Sequence, residues 1–127
     1  MVVQDYGRGE MSNGFKDLIV WQKAYRLALK VYKVASGYPK SEAYGLTAQA
    51  RNCATSVFAN IAEGYERSGR KEYIRFLNIA KGPLGELEAY LLFSKDLMLI
   101  REETWKELES ERTDTMKLLR GLIRSLK

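Results

Sequence analysis

The chain lacks histidine altogether and has one cysteine, Cys53, among its 127 residues. Histidine is the commonest general base and the commonest metal ligand. Without it, and with a single thiol, zinc sites and Cys-His or Ser-His catalysis are effectively excluded. The glycines form no phosphate-binding loop of the Walker or dinucleotide type. We therefore expect a non-enzymatic protein with no cofactor, no metal and no small-molecule substrate.

Long hydrophobic runs and secretory signals are also missing. Residues 1–13 contain no apolar run of the kind found in a signal peptide. The longest apolar stretch, 87–100, is interrupted by Glu88, Lys95 and Asp96, so it is not expected to span a membrane. The lone cysteine excludes an internal disulfide framework and is typical of a reducing compartment. These features predict a cytoplasmic protein with no membrane partner.

Proline is scarce, and this scarcity leaves room for long helices. Pro39 and Pro83 are the only prolines, while apolar residues make up 46% and charged residues 29% of the chain. Residues 1–14 lack periodicity and are expected to form a flexible tail. Residues 15–127 are expected to form one domain of four helices. The first, second and fourth helices are expected over 17–36, 41–66 and 102–126, and the third helix, between the second and the fourth, is expected to kink at Pro83. Short connections favour an antiparallel up-and-down four-helix bundle. Ser41 and Ser68 are the expected N-caps of the second and third helices.

Charge is unusually scarce in one of these helices. Between residues 45 and 62, Arg51 is the only charged residue, although the flanking sequence is rich in Lys, Arg, Asp and Glu. Such a helix cannot turn a broad face to water, and other helices of a short chain can cover only part of it. We expect another copy of the chain to cover the rest. One line of this helix is polar and nearly uncharged, and it consists of Gln49, Asn52, Ser56, Asn60 and Glu63.

The first helix also carries more apolar surface than one core requires. One seam contains Leu18, Trp21, Tyr25, Ala28, Tyr32 and Ala35, and a neighbouring seam contains Val20, Ala24, Leu27, Val31 and Val34. Together they span more than half of the helix circumference, whereas a surface helix usually needs a stripe somewhat over ~100° wide. The surplus favours a second, intermolecular contact that includes Trp21 and Tyr25. A monomer core enriched in aromatic residues is the alternative.

Positive charge is concentrated in the first part of the chain. The net charge is +5, with twelve basic and seven acidic residues over 1–75 and nine of each over 76–127. One candidate phosphate-contacting stripe is Lys23, Arg26, Lys30 and Lys33 on the first helix, with a solvated face as the alternative. A second candidate cluster is Arg67, Arg70, Lys71 and Arg75, and for this cluster pairing with Glu63, Glu66 and Glu72 is the alternative.

A third group of residues is expected to have a structural role. Arg51, Asn60 and Glu63 lie on the charge-poor helix. A glutamate and an arginine on such a helix are expected to pair, either within a protomer or across an interface. A buried pair of this kind is better evidence for specifying register than for stability.

Several short motifs, in order and spacing, carry a family resemblance that covers about 15–127. They are Phe15-Lys16-Asp17-Leu18 with Val20-Trp21-Gln22-Lys23-Ala24, Tyr44-Gly45-Leu46 with Gln49 and Arg51, Asn60-Ile61-Ala62-Glu63-Gly64 with Arg67, Phe76-Leu77 with Ile79-Ala80, Leu84-Gly85-Glu86-Leu87-Glu88, and Leu122-Ile123-Arg124-Ser125-Leu126. The chain resembles the four helix bundle protein family, also called 23S rRNA intervening-sequence proteins or S23. The resemblance implies a four-helix protomer, a ring-shaped homopentamer and no known enzymatic activity. Pro83 and Arg101 depart from the family pattern.

Two functions are compatible with these features. The favoured one is a homo-oligomeric scaffold that binds nucleic acid, RNA or DNA and most plausibly RNA, through its basic surface. The alternative is a structural or protein-interaction module with no nucleic-acid ligand, such as an accessory to a neighbouring gene product. Clustering of the basic stripe on one rim would favour the first, and mixing of that stripe with acids from the fourth helix would favour the second.

Overall fold

A computed structural model describes residues 13–127, and these residues form four long helices. The helices are α1 (Ile19–Ala35), α2 (Leu46–Glu66), α3 (Arg70–Asp96) and α4 (Glu102–Leu126), with short 3-10 helices at Gly14–Asp17 and Lys40–Glu42. No strand occurs within this part of the chain. The predicted all-α fold is confirmed, and the fourth helix has the predicted bounds. The proposed tail falls largely on residues 1–12, which lie outside the described residues.

The predictions for two helix starts were wrong. Ser41 lies inside the 3-10 helix Lys40–Glu42, and α2 begins only after Gly45. The carboxylate of Glu42 accepts a hydrogen bond from the backbone N–H of Leu46 at 3.4 Å, so a glutamate supplies the side-chain acceptor that Ser41 was expected to supply. At α3 the N-cap is Gly69 rather than Ser68, with φ of 85°. This left-handed conformation is one that glycine adopts without steric cost.

The four helices run antiparallel to their neighbours, which completes the up-and-down bundle. Contacts between α1 and α2, α2 and α3, α3 and α4, and α1 and α4 close the bundle into a cycle. The register is visible in long-range contacts: Arg51 donates to the carbonyl of Tyr32, and Arg112 donates to the carbonyl of Leu84. Within the described residues no helix is long and apolar enough to cross a bilayer.

The core is formed by one seam from each helix. From α1 the buried residues come mainly from the Val20, Ala24, Leu27 and Val31 seam, while Tyr25 and Tyr32 of the other seam remain exposed. The predicted apolar seam of α2 is buried throughout, and it consists of Leu46, Ala50, Cys53, Val57, Ile61 and Tyr65. The single chain therefore buries one apolar seam of α1 and only part of the second.

Helix α3 continues through its internal proline. Pro83 lies within the helix Arg70–Asp96, as the uninterrupted apolar pattern predicts, while the kink stays a prediction. Leu84, Leu87 and Leu91 follow Pro83 and are fully buried, so packing of the next two turns offsets the lost backbone hydrogen bond. Arg101 is the N-cap of α4 and makes no side-chain capping bond. Acidic residues in the first turn favour the positive end of the helix dipole instead.

The bundle has two ends of different construction. The turn end comprises residues 13–26, 57–81 and 115–127, and it contains the tight turn between α2 and α3. The loop end comprises residues 27–56 and 82–114, and it contains the two longer connections. At the loop end Ala35, Tyr38 and Leu46 form a small apolar cluster against Leu99 and Ile100. This cluster joins the α1–α2 connection to the α3–α4 connection.

Candidate nucleic-acid and self-association surfaces

Positive charge is concentrated at the turn end of the bundle. This end carries twelve Lys and Arg against four Asp and Glu, whereas the loop end carries eight basic and ten acidic residues. Counted along the chain, the whole excess lies before residue 76, because residues 102–127 carry six basic and six acidic residues. Within α4, however, residues 102–114 hold six acids and residues 115–127 hold none. Counting charges by helix halves reveals the basic stripe that was missed, which is Lys117, Arg120, Arg124 and Lys127.

The predicted cluster at the α2–α3 turn is divided between paired and free cations. Arg67 contacts Glu63 at 2.8 Å, and Arg75 contacts Glu72 at 2.9 Å. Two of the three expected intramolecular partners are therefore confirmed. Arg70 and Lys71 are exposed, and no carboxylate lies within salt-bridge distance of either in the part of the chain that is described.

Two guanidinium groups of this cluster pack on one aromatic ring. The Arg67 and Arg75 guanidinium carbons lie 4.8 and 4.6 Å from the centroid of the Phe76 ring. The hydrogen bond to Arg75 lowers the pKa of Glu72, and the same contact raises the pKa of Arg75. Both groups of that pair therefore keep their charge at neutral pH. The turn presents ordered cations whose positions are set by Phe76 and by the neighbouring carboxylates.

The predicted stripe on α1 does not act as one surface. Lys30 lies between Glu107, at 2.9 Å, and Glu111 of α4. Hydrogen bonds to Glu107 and then Glu111 raise the pKa of Lys30. Lys33 is exposed at the loop end, whereas Lys23 and Arg26 lie towards the turn end. Lys30 is thus mixed with acids of α4, and only the first two members of the stripe adjoin the basic end.

An arginine that sequence analysis did not single out is the most buried cation of the described chain. Arg112 has 7% of its surface exposed and donates to both carboxylate oxygens of Glu109, at 2.8 and 2.7 Å. It also lies 3.4 Å from a Glu88 oxygen and 3.4 Å from the carbonyl oxygen of Leu84. Its hydrogen bonds to Glu109 raise the pKa of Arg112. The sequence spacing could have revealed the burial of Arg112, because this residue lies on one helical seam with Leu108, Thr115 and Leu119.

Aromatic side chains form a partly exposed cluster on α1 and α2. The Trp21 and Tyr25 rings stack at 4.8 Å, and Phe58 meets them edge-on at 6.2 and 5.3 Å. Phe15 packs on the other side of Trp21 at 5.0 Å. Tyr25 remains 39% exposed, and the buried indole N–H of Trp21 has no hydrogen-bond partner in the described residues. These two predicted interface residues therefore lie together on one incompletely covered surface.

The predicted structural group on α2 is not brought together within the chain. Arg51 donates to the carbonyl of Tyr32 at 3.1 Å and lies 4.6 Å from its ring centroid. Asn60 donates to the carbonyl of Ser56 at 2.8 Å, and Glu63 is exposed and pairs with Arg67. The expectation that Arg51 and Glu63 pair within the protomer was wrong, and their pairing across an interface stays a prediction. They are three helical turns apart on α2, so each meets a nearer partner.

Comparisons with known proteins agree with this bundle. A family model described as "23S rRNA-intervening sequence protein" matches residues 16–121. The chain belongs to this family. The chain is also similar to a crystal structure from Bacteroides thetaiotaomicron VPI-5482, described as a protein with unknown function from the S23 ribosomal protein family. The TM-score is 0.78 at 25% identity, and the match covers 86% of this chain and 98% of that chain. No curated protein matches the sequence.

Neither a metal-ligand cluster nor an ionised thiol is present among the described residues. Within the described residues no group of three His, Cys, Asp or Glu side chains could hold a metal ion. Burial, and secondly the nearby Glu86, raises the pKa of Cys53 to about 12, so this thiol is protonated at neutral pH. The surface instead offers cations at the turn end and aromatic edges beside uncharged polar groups on α1 and α2.

Proposed function

We propose that this protein is a non-enzymatic, cytoplasmic, self-associating scaffold that binds nucleic acid through the turn end of its bundle. The observation that carries this proposal is the charge separation, with twelve basic and four acidic residues at one end of a small fold. Several of the cations are exposed, including Arg70, Lys71, Lys117 and Arg120. Such a surface attracts the phosphate backbone and releases its condensed counterions.

RNA is the first nucleic acid to consider. The family description refers to the intervening sequence of 23S rRNA, and the crystallised relative is described as a member of the S23 ribosomal protein family. The turn end presents Lys and Arg side chains without a base-reading motif. Contacts of this kind fix position on the backbone and carry little sequence information. The expected ligand is therefore recognised through its phosphates, with slight sequence preference.

Self-association supports this function by repeating the basic end. The Trp21–Tyr25–Phe58 cluster is one candidate face on α1 and α2. The uncharged polar side chains of α2 form a second candidate face, which borders α3 where Tyr90 donates to Gln49. An interface at the aromatic cluster would cover the exposed part of Tyr25. In the ring-shaped pentamer that the family resemblance implies, five basic ends would lie close together. Each protomer would then need only a few phosphate contacts.

The test compares two pairs of charge reversals that change the net charge equally. Arg70→Glu with Lys71→Glu alters the turn end, and Lys33→Glu with Lys40→Glu alters the loop end. All four side chains are exposed, and no salt bridge to any of them occurs within residues 13–127. Binding of a fluorescent single-stranded RNA is measured by anisotropy at several salt concentrations. We expect the turn-end pair to weaken binding strongly and the loop-end pair to have a much smaller effect.

Salt dependence separates specific contacts from a general effect of net charge. On single strands the slope of log K against log salt falls by about 0.7 for each lost phosphate contact. The turn-end pair should therefore reduce the slope by more than one, and the loop-end pair should leave it unchanged. Equal losses for the two pairs would contradict the assignment to the turn end. Absence of any salt-sensitive binding by the unaltered protein would contradict nucleic-acid binding itself.

One contact favours the second candidate function. Lys30 is held by Glu107 and Glu111, so part of the basic surface is used for packing α1 against α4. A structural or protein-interaction module, serving as an accessory to another gene product, would use its cations in this way. That function predicts an assembled protein that does not retain RNA or DNA near physiological salt. The anisotropy titration therefore decides between the two candidates.

A further inference from the structure

The groove between α3 and α4 contains a cavity whose walls are rich in cations. Its volume is about 260 Å³, and it is lined by Gly85 and Glu88 of α3 and by Arg112, Thr113, Lys117 and Arg120 of α4. The cavity lies where the two ends of the bundle meet. It therefore continues the basic stripe of α4 towards the middle of the molecule. Gly85 and Glu88 belong to one of the family motifs, whereas the lining residues of α4 belong to none.

A fixed guanidinium group forms the inner wall of the cavity. Arg112 is held by Glu109 through two hydrogen bonds and approaches the carbonyl oxygen of Leu84. Because its rotamer is fixed by these contacts, a ligand would meet it with little loss of side-chain entropy. The charge of Arg112 is already balanced by Glu109 and Glu88. The attraction for an anion must therefore come mainly from two other cations.

Lys117 and Arg120 supply those charges at the mouth of the cavity. Both are exposed, and neither has a carboxylate within salt-bridge distance among residues 13–127. They are three residues apart, so they lie on the same face of α4. An ammonium and a guanidinium group on one face can contact different oxygens of one phosphate. The Thr113 hydroxyl also lines the cavity but already donates to Glu109 at 3.5 Å, so it adds no free donor.

Gly85 keeps the cavity open on the α3 side. A β-carbon added at Gly85 would have no atom within 4 Å. Glycine inside a helix costs roughly 0.5–1 kcal/mol relative to alanine. No close helix–helix contact requires glycine at this position, and a side chain there would project towards the cavity. With glycine at this position, the cavity of about 260 Å³ has room for a phosphate group.

We propose that this cavity is a phosphate-binding site, in which Lys117 and Arg120 contact the phosphate and Arg112 forms a fixed inner wall. Where the phosphate belongs to an RNA chain, the site rests on the proposed function and extends its contact surface from the turn end along α4. Where it belongs to a small phosphate compound, the site is a separate ligand site. Both sources share the same chemistry, and the experiment distinguishes them.

The experiment uses the full chain and fills the cavity without altering any charge. Gly85→Leu places an apolar side chain in the cavity, and Ala89→Leu is the matched control on the same helix, outside the lining. No atom outside the local backbone lies within 4 Å of a β-carbon added at Gly85, and Ala89 is exposed, so both variants should fold. The first probe is inorganic phosphate, compared with chloride at equal ionic strength through the melting temperature. Phosphate raises melting temperatures generally by exclusion from the surface, but that effect is common to all variants.

We expect phosphate to stabilise the unaltered protein and the Ala89→Leu variant more than the Gly85→Leu variant. Glu88→Gln removes a negative charge from the lining and should increase the phosphate-dependent shift. Lys117→Gln with Arg120→Gln should remove it. If all of these proteins show the same shift with phosphate, the cavity does not bind phosphate and the proposal is overturned.

The second probe is the fluorescent single-stranded RNA, which identifies the source of the phosphate. If RNA uses the cavity, Gly85→Leu should weaken RNA binding and lower the salt slope by about 0.7, the loss of one contact. If Gly85→Leu leaves the salt slope of RNA binding unchanged, while phosphate still stabilises it less than the unaltered protein, the site binds a small phosphate compound. If phosphate does not discriminate them but RNA binding persists, the cavity proposal fails and the proposed function stands. If phosphate stabilises the variants to different extents but no RNA binds, the cavity proposal stands and the proposed function fails.

Discussion

Gly64 on α2 and Phe76 on α3 approach each other so closely that no side chain fits between them. A β-carbon added at Gly64 would lie 2.8 Å from the Phe76 β-carbon and 3.2 Å from the carbonyl oxygen of Tyr73. This contact brings the two helices together just beside the α2–α3 turn. It therefore also fixes the position of the Phe76 ring, on which Arg67 and Arg75 pack.

Gly64→Ala should destabilise the protein. Alanine favours the helix by about 1 kcal/mol relative to glycine, but overpacking at a close backbone contact typically costs about 1–3 kcal/mol. We expect a net loss of about 1 kcal/mol in the free energy of unfolding, measured by urea denaturation. Gly121→Ala is the control on α4, because an added β-carbon there would meet only the end of the Arg124 side chain, at 3.8 Å. It should stabilise the protein by about 0.5–1 kcal/mol, and equal effects at the two positions would contradict the close contact.

Arg112→Ala should be more damaging than the removal of any exposed arginine. Truncation leaves Glu109 without its two hydrogen bonds and opens a gap against α3. Breaking a fully buried ion pair costs about 3–5 kcal/mol. The cost here should be lower, about 2 kcal/mol, since the Glu88 side chain remains 58% exposed. Arg120→Ala, on the exposed side of α4, should change stability by less than about 0.5 kcal/mol. Similar urea midpoints for the two variants would show that Arg112 is not structural.

Periodicity predicted the fold because the four buried seams repeat at helical spacing. The core positions of α2 and the bounds of α4 follow directly from that spacing. Local capping was harder to predict. The start of α2 depends on the Glu42 carboxylate and the start of α3 on the positive φ of Gly69, and a serine nearby signals neither. These features depend on backbone geometry rather than on composition.

The candidate surfaces were predicted only in part, because pairing across helices is not visible in a linear pattern. The stripe on α1 was recognised by its spacing, yet Lys30 is held by two acids that follow it by more than seventy residues. Pairs within about one turn, such as Glu63 with Arg67, could be predicted from the sequence because i,i+4 neighbours lie on the same helix face. The net positive charge of the turn end is visible only when the charges in the corresponding half of each of the four helices are summed.

The thiol of Cys53 should be unreactive in the folded protein. Its ionisation should lower the free energy of unfolding as the pH rises above 9. Its pKa rises from 9.0 to about 12 on folding, mainly because of burial. The unfolded chain therefore loses this proton first. The stabilising contribution is complete below pH 9 and is lost as the pH rises from 9 towards 12.

Two measurements check this expectation. Urea midpoints of the unaltered protein and of Cys53→Ala should converge as the pH is raised from 8 to 10.5, because only the unaltered protein loses the contribution of Cys53. Alkylation by iodoacetamide at pH 8 should be slow in the native state and fast in urea. Rapid alkylation of the native protein would show that Cys53 is accessible and that its pKa is not raised.

Self-association should depend on the aromatic face of α1 and α2. Tyr25→Glu introduces a charge beside Trp21 and Phe58, where Tyr25 is 39% exposed, so the single chain should still fold. In an interface the buried carboxylate would have to lose its hydration, which is strongly unfavourable. Ile19→Glu is the control, since Ile19 is also exposed on α1 but faces the groove beside α4. By light scattering we expect a multiple of the 14.6 kDa protomer for the unaltered protein and for Ile19→Glu, and a lower mass for Tyr25→Glu. A monomeric mass for the unaltered protein at micromolar concentration would contradict self-association, and an unchanged mass for Tyr25→Glu would place the interface on another face.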